Sequence, residues 1–239
     1  MLFLKSLVVS VILCTAIINS CNAQSLQARG AGEIITKDIV DSLTVDKCFV
    51  VSEIDQDTFQ RIYGKSYGEE CNVMVSELRY LKLLHYNINE QICIGEMVCN
   101  VYIANDLIEI FRQLYDAHYP IERMVLIDDY NADDNLSMVA NNSSCFNFRH
   151  IAGKNSLSSH SLGLAVDINP LYNPHVKYVN GKRVVTPSQA SEYADRDKDF
   201  AYKIDRSDLL YKLMIKYGFE WGGAWKSSKD YQHFEKKKP

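Results

Sequence analysis

The sequence predicts an α+β fold, a small and mainly antiparallel sheet with helices packed around it. Three observations lead there. Apolar residues recur at helical spacing over 55–63, 107–118 and 205–217, and each run opens on an Asp or Asn suited to cap it. Short apolar runs over 96–103 and 162–169 alternate in the manner of strands. Between two further alternating runs stands Asn180-Gly181, the strongest short-range hairpin signal a sequence offers.

Residues 1–23 read as a targeting segment. Lys5 supplies a positive end, and Leu7 to Ile18 is an apolar run too short for a bilayer, which takes about 20 residues. Two processing routes stay open. One is ordinary signal-peptidase cleavage after Cys21-Asn22-Ala23. The other is lipoprotein processing at Ile18-Asn19-Ser20-Cys21, which places a lipid anchor on Cys21. Either route takes the mature chain out of the cytoplasm, to a periplasmic or outer-membrane location. Residues 24–46 are polar and weakly patterned, as in a tether or a loosely docked arm, and the main domain is expected over 47–239.

Within that domain Cys48 to Val51 is a short strand. Asp55 opens a helix with Phe59, Ile62 and Tyr63 on one face and Gly64 as its stop. Leu78, Leu81 and Leu84 at three-residue steps predict a helix over 76–86. After the strand at 96–103, Asn105 or Asp106 caps a helix over 107–118 that buries Leu107, Ile110, Phe111 and Leu114, with His118 in its last turn. Residues 123–129 are an apolar strand, and 130–149 a long loop rich in Asp, Asn and Ser. The hairpin follows over 176–185, then a loop with a helical turn over 188–204. The last elements are a helix over 205–217 ended by Gly218, a strand over 219–221, and the loop Gly222-Gly223-Ala224-Trp225.

Composition excludes some functions. The net charge is −4 with no basic stripe, so nucleic acid is not an expected partner. The tail Lys236-Lys237-Lys238 reads as a solvated end. Beyond the targeting segment five cysteines remain, Cys48, Cys71, Cys93, Cys99 and Cys145, an odd number that leaves at least one without a partner in the chain. None has the Cys-x-x-Cys spacing of a structural zinc site.

The chemistry concentrates in two stretches, Ser158 to Pro170 and Asp230-Tyr231-Gln232-His233-Phe234. His160, Asp167 and His233 make a catalytic zinc set, three protein ligands that leave the fourth tetrahedral position open. Asp167 in an apolar strand would be costly without a partner or a metal. Asp230, three residues before His233, is a second carboxylate able to take a proton from water, with Glu220 the weaker choice for that role. His150 would point away from the site, and His175 suits a supporting role better than that of a fourth ligand.

His160-x-x-Gly163-x-Ala165-x-Asp167 followed by Asp230-x-x-His233 resembles the zinc D-alanyl-D-alanine carboxypeptidase and L-alanyl-D-glutamate endopeptidase family of peptidoglycan peptidases. Asn141 to Arg149, Asn169-Pro170, Asn173-Pro174 and Gly218 to Gly223 extend the similarity over roughly 70–236. The resemblance implies a hedgehog/DD-peptidase-like fold, one Zn2+, and hydrolysis of peptide bonds in peptidoglycan stem peptides, with the choice between endo- and carboxypeptidase left open. It further implies that Arg149 polarises the scissile carbonyl and that Ser137, Asn141 and Asn142 contact substrate. The family pattern often has an acid where this chain has Ala224. The alternative is a catalytically silent, zinc-containing cell-wall-binding module of the same fold, against which the presence of both Asp230 and Arg149 argues. A calcium-stabilised adhesion domain built on Asp133 and Asp134 would leave the His-Asp-His set unexplained and lacks the EF-hand spacing.

Overall fold

The structure, a computed structural model, describes residues 26–151 and 155–238, so the expected signal segment and Cys21 lie outside the described residues. The fold is α+β, with three antiparallel sheets. The first sheet is built from β1 (Ile34–Ile35), β2 (Val50–Glu53), β3 (Leu78–Tyr86) and β4 (Ile92–Asn100), in the order β1-β4-β3-β2. Helix α1 (Lys37–Leu43) follows β1 and α2 (Gln56–Ile62) follows β2. The latter is capped by Asp55, whose side chain accepts from Thr58 N, as its sequence predicts.

The segment 78–86 is a strand and not the predicted helix. It pairs with β4 from Leu78↔Asn100 to Tyr86↔Ile92. Its period of three arises because both faces of the strand are covered. Leu81 and Leu83 meet the main core, whereas Leu84 joins a second cluster with Leu26, Ile35 and Val40, and Leu78 a third with Ile62 and Phe146. Merging apolar residues from two faces mimics helical spacing. The second cluster also shows residues 26–46 docked: Val40 is 1 % exposed, and Gly32 N donates to Ile94 O at 2.7 Å. The anchoring residues are too widely spaced in sequence to register as a pattern.

Helix α3 (Val101–Asp116) leaves β4 directly. Asn100 caps it by accepting from Tyr102 N, so the helix begins well before the predicted Asn105 or Asp106. His118 falls beyond its end, at φ 53°, stacked on the Tyr86 ring at 4.1 Å between centroids. The predicted strand at 123–129 does not form. Val125 N and O are instead bonded by the Asn142 side chain, and a 3-10 turn covers Ile127–Tyr130. The loop over 130–149 contains α4 (Asp134–Val139), capped by Asp133.

The C-terminal half supplies two three-stranded sheets. Their strands are β5 (Ala165–Asp167), β6 (His175–Val179), β7 (Lys182–Thr186), β8 (Glu220–Trp221), β9 (Ser228–Asp230) and β10 (His233–Glu235). They pair as β5-β10-β8 and β7-β6-β9, with α5 (Leu209–Lys216) before β8. The hairpin β6–β7 turns at Asn180-Gly181 as predicted. One continuous core joins the halves: Ile103, Leu107, Ile110 and Phe111 of α3 cluster with Leu210 and Met214 of α5 and with Val166, Trp221 and Phe234. Among the described residues no helix is long and apolar enough to cross a membrane, and the five described cysteines are all free thiols.

Candidate metal centre

Strand alternation builds the site. In the antiparallel pair β5–β10, Phe234 lies opposite Val166 and His233 opposite Asp167. Val166 and Phe234, both at 0 % exposure, anchor one face in the core, so Asp167 and His233 project together from the other. His160 arrives from a 3-10 turn, Ser159–Leu162, capped by Ser158 and closed by Gly163. Only this turn and β5 form within the predicted strand 162–169. Gly163 has φ +64°, and a Cβ there would stand 2.7 Å from Asn100 N, whose N–H donates to the Gly163 carbonyl. The glycine of the His-x-x-Gly spacing is thus required by a left-handed turn pressed against the backbone at the β4–α3 junction.

The donor atoms converge. His160 Nε2 lies 3.3 Å from Asp167 Oδ2 and 3.2 Å from His233 Nδ1, which is 3.1 Å from Asp167 Oδ1. A tetrahedral zinc site with bonds of about 2.05 Å separates its ligand atoms by about 3.3 Å, so these spacings fit such an ion before any adjustment. The far nitrogen of His160, Nδ1, is taken by the Cys145 carbonyl at 2.6 Å, which leaves Nε2 as the free lone pair. Among the described residues these three form the His/Cys/Asp/Glu group able to hold a metal ion.

The electrostatics favour a cation at that point. Burial works to raise the Asp167 carboxyl, but the flanking His160 and His233 rings outweigh it and hold the group far below the ordinary carboxylate range. Burial would lower His233, yet Asp167, Glu235 and Asp230 push it up to about 10. Asp230 is raised by burial and by the nearby Asp167 charge. A carboxylate facing two imidazoles in a largely buried cluster is suited to a metal cation.

Around the triad the expected residues divide. Asp230 ends β9, accepts from Gln232 Nε2 at 3.2 Å, and feels the charges of both Asp167 and His233. Its cross-strand partner is His175 of β6, so the two side chains share a sheet face, and His175 Nε2 is buried with no hydrogen-bond partner. Glu220, the weaker candidate for a base, is instead a surface residue paired with Lys237 at 3.0 Å. Arg149 has its backbone gripped by Ser161, with N donating to Oγ at 2.9 Å, and its guanidinium paired with Asp134. The predicted substrate contacts are occupied internally. Asn142 binds Val125 and the Ser137 hydroxyl, Asn141 binds Glu122 Oε2 and Leu171 N, and all three residues are at most 2 % exposed. As placed, these side chains brace the loop that leads to His160.

Sequence reasoning missed Glu235, which lies two residues after His233 on the same strand face. Its Oε2 accepts from Ser159 Oγ at 2.5 Å and stands 3.6 Å from His233 Nε2. The i, i+2 spacing on a strand could have revealed it. Gly222, named in the sequence only as part of a loop and of the resemblance, lies against Asp230 and His233.

In comparison with known proteins, no curated protein and no solved structure matches the chain. A family model does, over about a third of the chain, which is less than the similarity expected over 70–236. The matched part includes His160, Asp167, Asp230 and His233 but neither Arg149 nor the loop residues Ser137, Asn141 and Asn142. Residues 152–236 match the family model of the D-alanyl-D-alanine carboxypeptidases, a family of zinc peptidases.

Proposed function

We propose that the protein is a zinc peptidase of the cell envelope that hydrolyses peptide bonds in peptidoglycan stem peptides, as a D-alanyl-D-alanine carboxypeptidase or an L-alanyl-D-glutamate endopeptidase. The observation that carries this reading is the spacing of the three donors, 3.1–3.3 Å apart, with the carboxylate of Asp230 beside them. The family match over the same residues supports it. Delivery to the envelope rests on the composition of residues 1–23, by signal cleavage or by a lipid anchor on Cys21.

His160, Asp167 and His233 would hold the ion. Zinc there supplies a Lewis acid for the scissile carbonyl and makes water nucleophilic near neutral pH. Asp230 accepts the proton of the attacking water and returns it to the leaving amine, so one carboxylate acts as base and then acid. Asp230 is partly exposed and feels the charges of Asp167 and His233, so it can meet a water molecule beside the triad. Arg149 acts at the carbonyl oxygen as charge develops, which requires its guanidinium to share or leave Asp134.

The experiment is digestion of purified peptidoglycan by zinc-loaded protein, with mass analysis of the products. Release of D-alanine identifies the carboxypeptidase, and cleavage after L-alanine the endopeptidase. Intact stem peptides with the fully loaded protein refute the proposal.

A further inference from the structure

We propose that Glu235 is a positioning residue of the metal site. Its carboxylate fixes the His233 ring so that Nδ1 is offered to the ion and, through Ser159, ties β10 to the turn that carries His160. The inference rests on the reading that His160, Asp167 and His233 hold a metal.

Three observations support it. His233 is 6 % exposed, and its Nε2 is buried without a hydrogen-bond partner, an expensive state for an N–H unless an acceptor lies close. The group facing it is Glu235 Oε2 at 3.6 Å, placed there because residues two apart on β10 share a face. The same oxygen accepts from Ser159 Oγ at 2.5 Å, next in sequence to His160. At 3.6 Å the two atoms are within ion-pair range, and the proposal has them close to a hydrogen bond when the ion is bound. His160 has the same arrangement, with its outer nitrogen on the Cys145 carbonyl. Both rings then carry the proton outward and the lone pair inward, which fixes the tautomer a metal requires. For His233 the acceptor is an ionisable side chain on the ligand's own strand, and it also reaches the segment that bears the first ligand.

The test is zinc affinity, measured by competition with a chromophoric chelator, on wild type, Glu235→Ala, Glu235→Gln and Ser159→Ala. It is joined to long-range 1H–15N spectra of the histidine rings in the zinc-loaded proteins. Loss of an outer acceptor typically weakens metal binding by about 10–100-fold, and that is expected for Glu235→Ala. Glu235→Gln keeps an acceptor oxygen and should recover most of the affinity together with the slowly exchanging His233 Nε2–H signal. Ser159→Ala should fall between. A folded Glu235→Ala protein that binds zinc as tightly as wild type overturns the inference, as does a Glu235→Gln protein no better than Glu235→Ala. If Glu235→Ala does not fold, Ser159→Ala decides, and wild-type affinity there overturns the inference. If wild type itself takes up no zinc, the metal-site reading falls first and this inference with it.

Discussion

Gly222 offers the sharpest test of how closely the site is built. It follows β8, and its φ is not in the left-handed region, so a substitution there tests space alone. A Cβ at this position would meet Asp230 O at 2.7 Å, Asp230 Cβ at 2.9 Å and His233 Cβ at 3.1 Å, where ordinary contact starts at 3.4 Å. The first two neighbours are backbone or fixed to it, so the β9–β10 turn must retreat by about 0.7 Å to admit a methyl group. Overpacking of this kind costs about 1–3 kcal/mol, and a misplacement near 1 Å in a catalytic group costs about 100-fold in rate. Gly222→Ala should therefore lower turnover by roughly 10–100-fold and the melting temperature by about 4–8 °C for a loss near 2 kcal/mol. Turnover is read from stem-peptide cleavage at saturating zinc, and stability from thermal unfolding of the same sample. Gly30→Ala is the control, because a Cβ there meets nothing within 4 Å. Wild-type turnover and melting in Gly222→Ala would refute the close-approach argument.

Three further expectations follow from other parts of the molecule. Asp230→Asn should keep fold and zinc while turnover falls by about 10²–10⁴-fold; loss of zinc in elemental analysis would instead make Asp230 a ligand. Glu96 is 2 % exposed and bound by Arg61 at 2.5 and 2.8 Å and by Tyr80 Oη at 2.7 Å. Burial alone would raise its carboxyl, but these bonds hold it below the ordinary value of 4.5. A depressed acid stabilises fully above that value and loses its contribution as pH falls through the folded one. Arg61→Ala should thus cost about 3 kcal/mol at pH 7, and the gap to wild type should narrow in denaturant titrations below pH 4.5. Chelation of zinc should abolish cleavage without unfolding the chain, since backbone pairing holds Asp167 opposite His233; loss of tertiary structure in near-ultraviolet circular dichroism on chelation would count against a preformed site.

The triad was legible in the sequence because its chemistry is local and costly. An Asp inside an apolar strand, a His before it and an Asp-x-x-His downstream have few other uses, and the strand pair β5–β10 brings them together. The period-two alternation of Val166 and Asp167, and of Phe234 and His233, carries the information needed. The same reasoning failed at 78–86, where Leu78, Leu81 and Leu84 reach three separate clusters on two faces of β3. Periodicity reports one buried face well and two buried faces poorly. Helix α3 shows a related error. Asn100 at the end of β4 is a good cap, but it lies inside a run that alternates as a strand, so the signal for the helix start was absorbed into the strand.

The loop residues expose a limit of a different kind. Ser137, Asn141 and Asn142 have the composition of substrate contacts, and their loop leads to His160. A buried irregular loop, however, needs the same residues for another reason. Its backbone N–H and C=O groups have no ladder to join, so side-chain amides and hydroxyls must satisfy them. Asn142 does this for both polar groups of Val125, and Asn141 for Leu171 N while its amide nitrogen binds Glu122. Polar side chains beside a catalytic motif therefore carry two meanings that composition cannot separate. What separates them is whether the side chain's hydrogen bonds end inside the protein. Those of Asn142 do, on Val125 and Ser137, whereas His175 Nε2 and His233 Nε2 are buried and unpartnered. Around this centre His175 Nε2 lies on the sheet face that also carries Asp230, so the β6–β9 pair keeps a buried nitrogen without a hydrogen-bond partner there.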